Sequence, residues 1–384
     1  MIPYIDLKAQ YRAIADEVDA AIRSIMESGQ FALGPGVAEF ERDFAQLCEG
    51  ADVVGVNSGT SALHLALLAL GIGQGDEVMV PPMTFIATAA AIAYSGARPV
   101  FVDVEPTSWT LDPERIAAAV TPKTKAILPV HLHGRCADMD AILGVARRHG
   151  LVVIEDAAQA HAGSYKGRSA GTLGAVGCFS FYPGKNLGAY GEAGALVSRD
   201  RDIAAKARLL RDWGAADKYR HQVLGYNYRM DGIQGAVLSV KMRYLAGWTE
   251  ARRSLARHYD RVLANAGVLR PELDPGHTWH IYAVRIPGGA ARRERVRLKL
   301  KQRGIDTGIH YPIPLHLQEA FAHLGYRRGD FPVSEQLADS FLSLPIYPEL
   351  AEAQVSEVAE ALRSICAEDG DYEERTTRPR GARA

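Results

Sequence analysis

Cysteine is scarce. The 384 residues contain four, Cys48, Cys136, Cys178 and Cys366, with no Cys-x-x-Cys among them. Such spacing excludes a disulfide scaffold or a zinc knuckle and fits the reducing cytoplasm. An excess of either charge is also lacking: 44 Lys and Arg stand against 45 Asp and Glu. No global positive field exists to draw in nucleic acid. The start, Met1 to Lys8, has no basic segment followed by an apolar run, so no signal peptide is expected. One uncharged stretch, Val78–Ala97, approaches the roughly 20 residues of a membrane helix. Pro81 and Pro82 interrupt it, and Thr84, Thr88, Ser95 and Gly96 dilute it. It reads as a buried strand, a loop and a packed helix, not as a membrane span.

What is present is the composition of a globular protein, 47% hydrophobic and 23% charged. The length asks for more than one domain. Apolar residues at helical spacing (Ile14, Val18, Ile22, Ile25) followed by Gly29 predict an N-terminal helix over 8–27. Short β-branched runs then recur at 53–56, 78–81, 100–104, 126–130 and 151–156. Helix-like segments separate them at 60–70, 85–95, 112–120 and 138–148. This alternation predicts an α/β fold, a mostly parallel sheet with helices on both faces. Strands at 176–181 and 194–198 have no helix between them, so the alternation should end there. Helices are expected at 200–213 and 230–265. A smaller C-terminal α+β domain follows, with strands at 280–287 and 307–311 and helices at 290–303, 333–341 and 352–366. The expected domains are therefore 8–245, 246–366 and a tail, 367–384. That tail carries five acids and then four arginines with no apolar period, and reads as disordered.

In a parallel sheet, functional groups collect at the carboxyl ends of strands. Three features fall at such ends. Asn57–Ser61 (NSGTS) follows the first strand and opens a helix, where free N–H groups and the helix dipole favour an anion; plain N-capping is the alternative. Asp156 ends an apolar strand, where a carboxylate can hold a protonated nitrogen or cap the next helix. Glu155 should point to the opposite face. Lys185 is the sole charged residue between Arg168 and Glu192. Burial there would lower its pKa and make the amine a nucleophile able to form a Schiff base. A phosphate cradle, a strand-end carboxylate and a desolvated lysine together are the protein's half of a pyridoxal 5'-phosphate site.

The motifs that carry a family likeness are Gly55–Ala62 (GVNSGTSA), Val80–Ala87 (VPPMTFIA), Pro129–Gly134 (PVHLHG) and Ile154–Ala160 (IEDAAQA). Phe179–Asn186 (FSFYPGKN), Gly225–Asp231 (GYNYRMD) and Ile309–His316 (IHYPIPLH) complete the set. Through them the chain resembles the DegT/DnrJ/EryC1/StrS nucleotide-sugar aminotransferases of pyridoxal-enzyme fold type I, from residue 2 to about 366. The resemblance implies that Lys185 is the Schiff-base lysine and Asp156 the partner of the pyridine nitrogen. It places Gln159 beside the cofactor ring, Phe85 on its face, and Gly59, Thr60, Ser61 and Ser180 at the phosphate. Asn227 would reach the cofactor phosphate of a neighbouring subunit, which implies a homodimer with shared active sites. Tyr182, Arg229, His310, Tyr311 and His316 would bind substrate, although the histidines also suit ordinary packing. His131, His133 and His161 read as core or loop residues, not as a metal site.

The activity implied is a ping-pong transfer of an amino group from L-glutamate to a nucleotide-linked keto sugar, passing through pyridoxamine phosphate. The loop Tyr182–Gly188 resembles that of enzymes acting on 3-keto sugars, with amination at C4 as the alternative. A dehydratase of this family would carry histidine in place of Lys185. A regulatory protein retaining the fold would be expected to lose the lysine or the carboxylate, and both are here.

Overall fold

The computed structural model describes residues 1–377, with side chains through residue 368. At the N-terminus, α1 (Leu7–Ser28) begins where the Asp6 carboxylate accepts from the Lys8 and Ala9 N–H groups. It ends at Gly29, whose φ of +68° only glycine adopts freely. A helix not anticipated from the sequence follows, α2 (Gly34–Leu47), with Pro35 in its first turn.

The large sheet has seven strands, of which β1 (Asp52–Val56), β2 (Glu77–Val80), β3 (Arg98–Phe101), β4 (Thr124–Ile127) and β5 (Val152–Asp156) come first. A small hairpin of β6 (Ser164–Tyr165) and β7 (Arg168–Ser169) precedes β8 (Val176–Ser180) and β9 (Gly194–Ser198). The order is β1-β9-β8-β5-β4-β2-β3. Only β9 runs against its neighbours; the rest are parallel, as the alternation predicted. The crossovers are α3 (Gly59–Ala69), α4 (Ile86–Tyr94), α5 (Pro113–Ala119) and α6 (Met139–His149). Strand side chains such as Val54, Val78, Ile127 and Ile154 are buried from both faces, which accounts for their continuous apolar runs. The uncharged stretch resolves into β2, a loop and α4. Among the described residues, no helix is long and apolar enough to cross a membrane.

After α7 (Arg201–Arg211) and a hairpin of β10 (Ala215–Asp217) and β11 (Arg220–His221) comes the 31-residue α8 (Gly232–Val262). Its first half packs Val237 and Val240 on Ile14 and Val18 of α1. Its second half sends Leu255, Ala256 and Tyr259 into a separate core with Tyr282, Val284, Leu342 and Leu362. That core belongs to the C-terminal α+β part: β12 (Tyr282–Arg285), α9 (Gly289–Gln302), α10 (Pro332–Ser340), β13 (Phe341–Leu344) and α11 (Glu352–Thr377).

Three local expectations differ from the structure. No strand forms over 307–311. Gly308 makes a single bridge to Ser343, and no ladder extends from it. The partner of β12 is instead β13, antiparallel and absent from the sequence reading. The final helix runs past the expected end at 366 to Thr377. Of the expected disordered tail, residues 378–384 lie outside the described residues.

Candidate active site

The carboxyl ends of β1, β5 and β8 open into a cleft of about 630 Å³ between the large sheet and the C-terminal part. At the end of β1, Ser58 caps α3: its Oγ accepts from the Ser61 N–H at 3.1 Å. The N–H groups of Gly59 and Thr60, in the same first turn, have no i−4 carbonyl to bond. Both residues line the cleft with Ser180, which ends β8. The fit is tight. A Cβ on Gly59 would lie 2.6 Å from the Ser180 Cβ, and one on Gly194 would lie 2.3 Å from the Ser58 carbonyl carbon. Ser61 turns away; its hydroxyl donates to Asn57 Oδ1 at 2.6 Å, so it braces the turn and does not line the cleft.

Asp156 ends β5 with its carboxylate nearly buried. It does not cap a helix. Oδ1 accepts from the Ala158 N–H at 3.1 Å and Oδ2 from Thr88 Oγ1 at 2.8 Å. Burial pushes its pKa up, against the pull of those two bonds and of the Lys185 charge. As the period of two predicts, Glu155 faces the other way. It accepts from the N–H groups of Gly171, Leu173 and Gly174 at 2.7–2.8 Å. His131 Nδ1 accepts from the Ala137 N–H, so its Nε2 carries the proton and donates to Glu155 at 2.8 Å.

Lys185 is half-buried in the cleft wall, in the turn after β8. Burial pulls its pKa down to about 8, with the Asp156 carboxylate opposing. Its loop is fixed from behind by α8. Lys241 Nζ, 1% exposed, donates to the Gly188 carbonyl at 2.6 Å and lies 4.2 Å from the Tyr190 ring centre. Gln234 Oε1 accepts from the Tyr190 N–H at 2.9 Å. Gly188 permits the turn, since a Cβ there would meet the Pro183 carbonyl oxygen at 2.3 Å.

Gln159 is held on two sides, accepting from the His133 N–H at 2.6 Å and donating to Tyr311 Oη at 3.2 Å. Phe85 is 54% exposed at the cleft and inclined to Tyr311 at 5.8 Å between centroids. Tyr182, His310 and Tyr311 also line the cleft, with His310 Nδ1 2.9 Å from Ser343 Oγ. Arg229 and His316, expected at the substrate, do not line this cleft, and Asn227, expected at a neighbouring subunit's cofactor, does not line its own. Arg229 pairs with Asp212 at 2.5 Å. Asn227, exposed, bridges to Asp212 on the outside of its own chain's cleft. His316 does not line the cleft: it is buried, with Nε2 2.9 Å from Glu335 Oε1 and its ring against Phe331.

Several cleft residues were not anticipated: Tyr4, Thr84, Thr88, Glu192, Arg252 and His280. Thr88 was visible only as a polar interruption of an apolar run. Tyr4 arrives because Ile2 bridges to Ile305, which no local pattern foretells. His133 and His161 are buried, and burial holds both near 3. Among the described residues no group of three or more His, Cys, Asp or Glu could hold a metal.

Comparison with known proteins bears on this geometry. The DegT/DnrJ/EryC1/StrS aminotransferase family matches residues 12–363. The chain belongs to that family. It is 46% identical to the dTDP-3-amino-3,4,6-trideoxy-alpha-D-glucose transaminase of Streptomyces venezuelae, over 94% of this chain and 95% of that protein. It is equally similar, 46% over 94% of this chain and 97% of the other, to a protein of Geobacillus stearothermophilus named pleiotropic regulatory protein. The structure superposes with a TM-score of 0.92 on the crystal structure of S. venezuelae DesV in complex with a ketimine intermediate. That match covers 95% of this chain and 98% of DesV at 46% identity. The family assignment and the α/β aminotransferase fold agree with the sequence reading, and the chain is an aminotransferase.

Proposed function

We propose that the enzyme transfers an amino group from L-glutamate to a nucleotide-linked 3-keto sugar, with pyridoxal phosphate held in the cleft by Lys185. One observation carries the reading: a half-buried lysine of lowered pKa and a buried strand-end carboxylate face one cleft, beside the first turn of α3, where Gly59 and Thr60 line the same cleft. These donors suit the cofactor. The Gly59 and Thr60 N–H groups and the Ser180 hydroxyl would hold its phosphate, Asp156 its pyridine nitrogen and Lys185 its aldehyde carbon. Phe85 and Gln159 would flank the ring. The group supplies an electron sink for charge developing at the amino acid's Cα.

The chain's own residues do the rest. Asp156 keeps a proton at the pyridine nitrogen, where positive charge is most useful, and Thr88 and Ala158 hold that carboxylate in place. The Lys185 amine, with its lowered pKa, would serve as the base that carries a proton from the donor Cα. Tyr182, His310 and Tyr311 are placed to orient the sugar. The same residues then run the sequence in reverse on the keto sugar. Amination at C3 is supported by the Tyr182–Gly188 loop and by the 3-amino product in the name of the S. venezuelae relative. Asn227 and Arg229, outside their own cleft, suit a role across a homodimer interface, Asn227 at the partner's phosphate.

The test is direct. Purified enzyme should be yellow, and borohydride should bleach it and attach the label to Lys185; label on any other lysine refutes the assignment. A panel of 3-keto and 4-keto nucleotide sugars with glutamate, read by mass spectrometry, should give product from the 3-keto members. Asn227→Ala should weaken cofactor retention, and a fully active monomer would remove the shared site.

A further inference from the structure

Arg252 lines the cleft and has no part in the function described above. It stands on α8 and is 3% exposed. Its Nη1 donates to the Trp279 carbonyl at 3.1 Å and to the Ile346 carbonyl at 2.8 Å. Those two bonds use both Nη1 hydrogens. Nε is buried without a partner among the described residues, and the two carbonyl bonds, both from Nη1, leave Nη2 unengaged. Nε and Nη2 share the opposite edge of the planar guanidinium, whose two parallel N–H bonds match the two oxygens of a carboxylate.

No carboxylate of the chain closes an ion pair with this group among the described residues. Glu349 lies near enough to favour its charge but not within ion-pair distance. A buried cation without an anionic partner carries a large desolvation cost, which an incoming anion relieves. Its neighbours are cleft residues too. Tyr4 and His280 both feel the Arg252 charge, and His280 feels that of Lys185 as well. Burial first, then those two cations, hold His280 well below its ordinary value. His280 is therefore neutral at physiological pH and cannot take the anion in place of Arg252.

We propose that Arg252 is the carboxylate anchor for the amino-acid donor, its unengaged Nη2 meeting one donor carboxylate while the donor's amine faces Lys185. The inference rests on the function proposed above and adds the residue that selects the donor. The carboxylate fits better than a nucleotide phosphate. An amino acid brings its α-carboxylate one bond from the carbon that must lie at Lys185. The phosphates of a sugar nucleotide are several bonds removed from the ring carbon that reacts.

The experiment uses the holoenzyme and two variants, Arg252→Gln and Arg252→Lys. Glutarate, which has both carboxylates and no amine, is titrated by calorimetry. The half-reactions with L-glutamate and L-alanine, and the KM for the nucleotide sugar, are measured alongside. Expected for Arg252→Gln are loss of glutarate binding and a glutamate KM raised at least tenfold, with the sugar KM within twofold. Arg252→Lys should fall between, because an ammonium keeps the charge but not the fork. A parallel loss with alanine assigns the α-carboxylate, and a loss confined to glutamate assigns the side-chain carboxylate; both support the anchor. Glutarate binding unchanged in Arg252→Gln, or a rise in the sugar KM alone, overturns it. So does a lowered melting temperature in Arg252→Lys with an unchanged glutamate KM, since that is the mark of a strut between α8 and the Trp279 and Ile346 carbonyls. Should the native enzyme aminate nothing, the functional reading fails, while glutarate binding compared with Arg252→Gln still decides the anchor.

Discussion

Thr88 Oγ1 donates to Asp156 Oδ2 at 2.8 Å, and Thr84 Oγ1 lies 2.9 Å from the Thr88 hydroxyl. Because Thr88 gives its one hydrogen to the carboxylate, Thr84 must be the donor to Thr88. The two hydroxyls form a polarised chain that ends on the carboxylate. Thr88→Val keeps the shape and removes the bond. Losing a hydrogen bond to a charged group costs about 1.5–3 kcal/mol. Retention of pyridoxal phosphate, followed by absorbance after dialysis, should fall roughly ten- to a hundredfold by that cost. Unaltered retention would show that Asp156 needs no such support.

Lys185 gives a pH prediction. Its native value of about 8 lies below the ordinary 10.5. Schiff-base formation by cofactor-free protein with pyridoxal phosphate should therefore rise with pH through a midpoint near 8, and not near that of an exposed lysine. The linked stability follows. Folding disfavours the charged amine, a cost present in full below about 8 that disappears as pH rises through 10.5. Lys185→Met should then stabilise the cofactor-free protein at pH 7, by an amount that fades towards pH 10.5. Urea titrations at several pH values would measure it.

Glu155 is a structural residue despite standing next to Asp156. Glu155→Ala strips partners from three buried N–H groups and from His131. Breaking a buried charged cluster in this way costs about 3–5 kcal/mol. The expected outcome is a large fall in denaturation midpoint, with the cofactor spectrum of the surviving folded fraction intact.

Gly59→Ala should act locally. Its Cβ would lie 2.6 Å from the Ser180 Cβ, so Ser180 must be driven aside. Affinity for pyridoxal phosphate should drop at least tenfold in equilibrium titrations, while binding of pyridoxal without its phosphate changes little.

His316 separates packing from substrate binding. His316→Gln disturbs the contact with Glu335 and the packing on Phe331. Stability should decrease by about 1–2 kcal/mol, and the KM for the nucleotide sugar should stay within twofold. A tenfold rise in that KM would return His316 to the substrate site.

The strand-end residues were legible because they obey local rules. Asp156 stands out as a charge ending an apolar run, Lys185 as a charge in an uncharged segment, and Gly59 as a small residue opening a helix. The mostly parallel sheet around them followed from alternation of strand and helix, while the order of its strands did not. Arg252, Tyr4 and His280 were not legible. Each enters the cleft through contacts between distant segments, Arg252 by way of the Trp279 and Ile346 carbonyls and Tyr4 by way of Ile2 and Ile305. His316 was misplaced because adjacency in a motif does not fix side-chain direction. Tyr311 points to Gln159 while His316, five positions on, points to Glu335.

The long helix α8 has a mechanical consequence. Over on the order of 45 Å, one rod carries Lys241 and Gln234, which hold the lysine loop, and Arg252, which holds two carbonyls on the far wall. The floor and the far wall of the reaction chamber thus hang from a single beam. Heating cannot melt one of them and spare the other without breaking that beam, so calorimetry should record a lone cooperative peak.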